Sequence, residues 1–341
     1  MNKDHPFLRW LLMGSAILSL AIYGVGCSAA ADTRDSPAAG QRLVLPELEA
    51  VQLGGEPLRV VATTSIIGDV VGRVGGDAIE LTTLIGPGQD PHSYEPATQE
   101  LAAVNEADVI FVNGWDLEEA LIEDLEQIGG DVPMIPISAN IEPLPFGGDD
   151  HAEAETDEEH HAGADPHTWL AVNNVKQWVQ NSENVLSDLD PANAAAYEGN
   201  AAAYLVELDE LQEYAESRLG QIAEADRFLV TNHDSFGYFA AAYGFTILDS
   251  VIPAASTLAE PSASDLAGLV ALMEEHGACT IITETTARTT LAQTVAAELD
   301  GCDEVKVVQL YTGAVGPAGS DTGSYMGMIR ANVDAIAEAL Q

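Results

Sequence analysis

From Tyr197 to Ile222 apolar residues recur three or four positions apart without a break: Tyr197, Ala201, Tyr204, Leu205, Leu208, Leu211, Ala215, Leu219 and Ile222. That period belongs to a helix, and a run of roughly thirty residues exceeds most globular helices. Asp190-Pro191 opens it, with proline at a favoured first helical position. On either side the pattern changes. Short apolar runs at 58–62, 79–85, 109–112 and 134–137 precede the long run, and others at 227–231, 245–248, 280–283 and 305–310 follow it. Helical stretches separate them, and such alternation predicts parallel α/β sheets. A helix that long can cross from one α/β lobe to another as a stiff strut. The chain of 341 residues has room for two domains. The expected division is an N-terminal lobe at 58–190, a linking helix at 191–225 and a C-terminal lobe at 226–341.

The first 27 residues read as a targeting segment. Lys3 and Arg9 are basic, residues 10–25 are apolar, and the stretch ends in Gly24-Val25-Gly26-Cys27. It resembles a bacterial lipobox, in which Cys27 is lipidated, although Gly24 stands where leucine is usual. An ordinary signal peptide or a single membrane anchor is the alternative; each places the body outside the cytoplasm. Residues 28–57 are rich in Ala, Pro, Gly and charge and read as a flexible tether. Export also bears on Cys279 and Cys302, each just ahead of a strand-like run. If those strands are parallel neighbours the two sulfurs share a sheet edge, and a disulfide is permitted there. Two buried free thiols are the alternative.

Charge excludes one class of partner. Fifty-five acidic residues against 12 basic ones give a formal net charge of −43, whereas nucleic-acid binding needs a basic surface. Residues 313–323 are glycine-rich but lack the lysine and the strand–helix setting of a phosphate loop. The stretch 149–164 holds His151, His160 and His161 among seven acidic residues, with no apolar period. It reads as a mobile loop able to collect metal, since imidazole and carboxylate both suit zinc. A solvated insert with incidental histidines is the alternative.

Chemistry concentrates in a repeated motif. Asp90-Pro91-His92-Ser93-Tyr94 and Asp165-Pro166-His167-Thr168-Trp169 share Asp-Pro-His, a hydroxyl residue and an aromatic, and His233 follows directly on an apolar run. Proline fixes its own φ and pushes the preceding Asp towards extended geometry, so each imidazole is presented on a pre-organised turn. The neighbouring Asp can accept a bond from the other ring nitrogen and fix the tautomer. A histidine is more often structural than a ligand, but the repetition points to one metal site assembled from distant segments.

These residues, together with His233-Asp234-Ser235-Phe236-Gly237-Tyr238-Phe239, Glu260-Pro261-Ser262 and the closing segment with Tyr325, Met326, Met328 and Asn332, resemble the metal-binding lipoproteins of bacterial ABC importers of the ZnuA/TroA type. The resemblance runs from about residue 58 to the C-terminus. It implies two Rossmann-like α/β lobes with parallel sheets, joined by one long rigid helix, with a metal in the cleft between them. It also implies a monomeric binding protein rather than an enzyme, which delivers the metal to a membrane permease driven by a cytoplasmic ATPase. His92 and His167 of the first lobe and His233 of the second carry over as ligands. Many relatives place an Asp in the loop after the last strand; Gly313 stands there in this chain. Glu284, at the C-terminal end of its strand and so on the cleft side, is the expected fourth ligand, with Asp321 and the acidic loop as weaker candidates.

Three neutral imidazoles suit Zn²⁺, while Mn²⁺ favours more carboxylate oxygen; zinc is the expected cargo and manganese the alternative. Affinity is expected to fall below about pH 6 as protons compete for the imidazoles. Two other classes remain open. Three histidines with an open position also hold catalytic zinc in hydrolases, although the sequence has no His-Glu-x-x-His. A storage or adhesion lipoprotein would depend more on the loop than on the cleft.

Overall fold

The computed structural model describes residues 41–145 and 163–341; Cys27 and the loop histidines His151, His160 and His161 lie outside them. The N-terminal half begins with β1 (Leu58–Thr64), α1 (Ser65–Gly75), β2 (Ile79–Ile85), α2 (Thr98–Glu106), β3 (Val109–Val112), α3 (Ile122–Gly129) and β4 (Met134–Pro136). All four strands are parallel, in the order β2-β1-β3-β4. β1 and β3 are buried along nearly their whole length, as continuous apolar runs covered on both faces should be. Two helices follow, α4 (Val172–Leu189) and α5 (Ala194–Leu219).

The C-terminal half repeats the alternation: β5 (Phe228–His233), α6 (Gly237–Tyr243), β6 (Thr246–Ile252), α7 (Ala263–His276), β7 (Thr280–Glu284), α8 (Thr290–Glu298), β8 (Lys306–Leu310) and α9 (Tyr325–Ala339). Its strands form two parallel pairs, β5-β6 and β7-β8, with β5 running alongside β7. Strand lengths expected from sequence were short at β5 and β6. β5 continues to His233 and β6 to Ile252, because the polar residues that close them stay buried in the fold.

The long helix is the strut that its period predicts, but it starts at Ala194 rather than Pro191. Asp190 is the reason. Its carboxylate accepts from Asn193 Nδ2 at 2.7 Å and from Tyr197 Oη at 2.9 Å, which holds the intervening residues as a turn. The N-terminal half of α5 is tied to α1. Asn200 Nδ2 donates to Val74 O at 2.9 Å, and Arg73 stacks on the Tyr204 ring at 4.2 Å while pairing with Glu207. The C-terminal half is tied to α9: Tyr214 Oη donates to Asp334 at 2.7 Å and Arg218 Nε at 3.1 Å. One buried cluster runs through both halves, from Leu58, Ile67 and Phe111 through Trp178, Tyr204 and Leu211 to Phe239, Tyr325 and Ile336.

The stretch expected to be a flexible tether behaves differently from Gln41 onward. It has no helix or strand, yet Leu45, Leu48, Val51 and Leu53 pack against the main core. Leu43 O accepts from Asn140 N at 2.9 Å, and Val51 N donates to Leu189 O at 2.8 Å. The composition reading missed these residues because their apolar positions are spaced for an extended strap rather than for a helix or a strand.

Cys279 and Cys302 form a disulfide with a Cα–Cα distance of 5.8 Å. They stand just before β7 and β8, whose first pair is Thr280 with Lys306. The bond closes a loop of 23 residues, which on chain-entropy grounds is worth roughly 3 kcal/mol. Replacing both cysteines with serine should lower unfolding free energy by about 2–4 kcal/mol in a denaturant titration, with metal stoichiometry unchanged. A second expectation follows from the strut and the shared core. Solution scattering of the metal-loaded and chelator-treated protein should give the same radius of gyration, and a large compaction on metal binding would contradict this packing.

Candidate metal centre

Parallel strands put their C-terminal ends, and the loops after them, on one side of a sheet, where α/β proteins bind ligands. Here that side is where the two halves face each other. The turn after β2 carries His92, the segment before α4 carries His167, and His233 is the last residue of β5. All three side chains are buried, 2–3% exposed. His167 Nε2 lies 3.2 Å from His92 Nε2 and 3.1 Å from His233 Nε2. Four ligands around Zn²⁺ at 2.0–2.1 Å stand about 3.3–3.4 Å apart along the edges of a tetrahedron. The three nitrogens are therefore close to the spacing at which one ion could touch all of them, and they form a group able to hold a metal.

Each imidazole is held from behind in its own way. Asp165 Oδ1 accepts both the backbone N–H of His167 at 2.9 Å and its ring Nδ1–H at 2.8 Å. That leaves Nε2 of His167 bare. The Asp165 carboxyl is itself buried against Gly237 at the start of α6; a Cβ at 237 would stand 2.7 Å from Asp165 Oδ2, so only glycine lets that helix approach so closely. Burial pushes the Asp165 carboxyl up to about 7, against the pull of the His167 amide and the charges of His233 and His92. Burial, with the neighbouring His233 and His92, drives His167 well below the ordinary imidazole range. His167 is thus a neutral base at neutral pH.

His233 has the opposite bias. Its Nδ1 bonds Glu284 Oε1. Burial would lower the His233 pKa, but the charge of Glu284 and this hydrogen bond outweigh it and raise it. Burial would raise Glu284, yet His233 and the hydroxyl of Thr312, which donates to Oε2 at 2.5 Å, lower it instead. A proton on His233 Nε2 would point at the Nε2 of His167, 3.1 Å away. Metal entry then displaces protons from these nitrogens, the usual coupling at imidazole sites.

Glu284, expected as the fourth ligand, is placed elsewhere. Both of its oxygens are engaged, one by His233 and one by Thr312, so it stands behind a histidine instead of beside the three converging nitrogens. Its place at the end of β7 is legible in the sequence; its partner, His233, is not. Asp321, the weaker candidate, is exposed in the loop before α9. Gly313 lies against the turn of His92: a Cβ there would be 3.0 Å from Pro91 Cδ and 3.3 Å from Thr286 Oγ1.

The two Asp-Pro-His motifs differ in detail. Asp165 fixes the ring of its own histidine, whereas Asp90 Oδ1 accepts only the His92 backbone N–H, at 3.1 Å. The His92 Nδ1 has no hydrogen-bond partner; Glu119 Oε1 is 3.7 Å away. Sequence reasoning also missed Thr312 and Trp169. The Trp169 indole packs against His167 at a tilt of 59°, with 5.3 Å between ring centres, and donates to Thr312 O at 2.6 Å. That bond joins the His167 segment to the loop behind Glu284. The aromatic at the end of the motif was the one available signal for it.

Comparison with known proteins is consistent over nearly the whole described chain. The family model of the zinc-uptake complex component A, periplasmic (ZnuA), matches residues 60–339. A manganese-binding lipoprotein, MntA of Halalkalibacterium halodurans, is 33% identical over 286 residues, covering 84% of this chain and 89% of that protein. An iron ABC transporter substrate-binding lipoprotein, MtsA of Streptococcus pyogenes serotype M1, is 29% identical over 292 residues, covering 84% and 89%. The solved structure of the periplasmic zinc-binding protein TroA from Treponema pallidum superposes with a TM-score of 0.73 at 30% identity, covering 84% of this chain and 99% of that one.

The arrangement makes a specific demand on Glu284 and Asp165. Glu284→Gln and Asp165→Asn should each weaken metal binding by about 10–100-fold, the usual effect of losing a partner behind a ligating histidine. X-ray absorption should still find the same nitrogen ligands in both variants. Loss of an oxygen scatterer in Glu284→Gln would instead make that carboxylate a direct ligand.

Proposed function

The chain belongs to the ZnuA family, the substrate-binding proteins of metal ABC transporters, and on that footing we propose that it captures Zn²⁺ outside the cytoplasm through His92, His167 and His233 and hands it to a membrane permease. The observation that carries the choice of metal is the donor set. Three imidazole nitrogens converge, and the nearest buried carboxylates, Asp165 and Glu284, are each committed to the far side of a ring. Nitrogen-rich sites suit zinc, while manganese sites are built with more carboxylate oxygen. A water or another small ligand completes the coordination. The same commitment argues for a binding protein over a zinc hydrolase, because neither carboxylate is free to act as a general base.

Manganese is the second reading, favoured by the relatives whose names specify it, MntA of Halalkalibacterium halodurans among them. In the proposed cycle Cys27 is lipidated and anchors a monomer to the outer face of the membrane. Residues 28–40 connect the anchor to the strap that begins at Gln41. The acidic loop with His151, His160 and His161 gathers zinc without being part of the tight site, so its deletion leaves that site intact.

Metal analysis and competitive titration of the purified protein test the reading. One zinc per chain is expected, preferred over manganese at equal free concentration. His92→Ala, His167→Ala or His233→Ala should each abolish the tight site. A preference for manganese moves the assignment to the second reading, and no stoichiometric metal at all removes both.

A further inference from the structure

The His92 arm is the least secured of the three. His167 and His233 each have a carboxylate hydrogen-bonded to the outer ring nitrogen, whereas His92 Nδ1 makes no hydrogen bond and its carboxylate neighbour, Glu119 Oε1, stands 3.7 Å away. Its position therefore depends on the turn that carries it. Asp90 organises that turn, taking the His92 amide on Oδ1 at 3.1 Å and the Ser93 hydroxyl on Oδ2 at 3.1 Å.

One further bond reaches Asp90 from the opposite half. The loop between β6 and α7 first leaves the sheet beside His233, where Ala254 O accepts from Asp234 N at 3.0 Å. Three residues on, Thr257 Oγ1 donates to Asp90 Oδ2 at 2.6 Å. The loop thus spans from the His233 strand to the His92 turn. The next residue, Leu258, reaches the surface and is 56% exposed.

We propose that the Thr257–Asp90 hydrogen bond is a cross-cleft latch that keeps the His92 turn closed over the bound ion and sets the rate at which the ion leaves. This rests on the tri-histidine centre being the cargo site. With the strut and the shared core fixing the two halves, the His92 turn and the β6–α7 loop are the parts left to move, and Thr257 joins them. Thr257 is a positioning residue. It acts on the ion only through Asp90 and the His92 backbone. A partner that displaced the exposed Leu258 segment would break the bond and free the His92 arm while His167 and His233 kept their supports.

The test is zinc dissociation from the full chain into excess chelator, followed by stopped flow, for Thr257→Val and Thr257→Ser. Valine keeps the shape without the hydroxyl, and serine keeps the hydroxyl. A hydrogen bond to a charged acceptor is worth enough for Thr257→Val to release zinc about tenfold faster, at unchanged stoichiometry. Thr257→Ser should restore slow release to within about twofold. A Thr257→Val rate equal to the parent rate, or a Thr257→Ser rate as fast as that of Thr257→Val, overturns the latch alone. A parent protein that holds no zinc and no manganese overturns the cargo site, and the latch with it.

Discussion

Three buried imidazoles whose nitrogens converge, with His167 Nε2 only 3.1 Å from His233 Nε2 and 3.2 Å from His92 Nε2, are the constraint around which the molecule is built. Their lone pairs cannot all face one another unless a proton or a cation lies between them, and burial removes the water that would otherwise screen them. The surrounding structure supplies what that closeness requires. Asp165 takes the proton-bearing side of His167, and Glu284 takes that of His233. Thr312 then holds Glu284, and Trp169 holds the Thr312 carbonyl. The chain of contacts begins at one histidine segment and ends behind another, in the other half of the molecule. Rigid supports at the far nitrogens are what let the near nitrogens stay poised for an ion.

The body beneath them leaves little room for hinge motion. α5 is bonded to α1 at one end and to α9 at the other, and a single apolar cluster crosses from the first half to the second. Swinging the halves apart would expose part of that cluster, at about 25 cal/mol for every Å² of apolar surface uncovered. Turns at the strand ends carry no such cost. Capture and release therefore belong to loops and their hydrogen bonds, and the fold's contribution is to keep everything else still.

Much of this was legible in the sequence, and the reasons differ residue by residue. The strands and the strut were readable because a continuous apolar run and a period of 3.6 each report a burial geometry directly. His92 and His167 stand out in the sequence because a repeated Asp-Pro-His restricts the backbone, and His233 because it closes an apolar run; the structure brings the three together. Glu284 shows where that reading stops. The end of a parallel strand predicts that its side chain faces the cleft, but the difference between touching an ion and touching the back of an imidazole is one ring's width, which no periodicity encodes. Asp90 and Asp165 make the same point within one motif: identical neighbours, yet one fixes a ring and the other a turn. The strap from Gln41 was hidden for another reason, because its leucines and valine serve an extended path over a surface formed much later in the chain.

The positions of those carboxylates also bear on how a doubly charged ion can be held by neutral ligands. On the zinc reading, nitrogen atoms make the first contacts and so set the preference among metals, while Asp165 and Glu284 place negative charge one imidazole further out. The charge still offsets the ion through the ring, and each hydrogen bond strengthens the donor power of the nitrogen that faces the metal. Moving either carboxylate forward would add oxygen to the ligand set and shift it towards harder cations. Leaving it behind the ring keeps the charge and changes the chemistry of contact. In this chain selectivity thus depends less on how many acids surround the cleft than on which side of the histidines they stand.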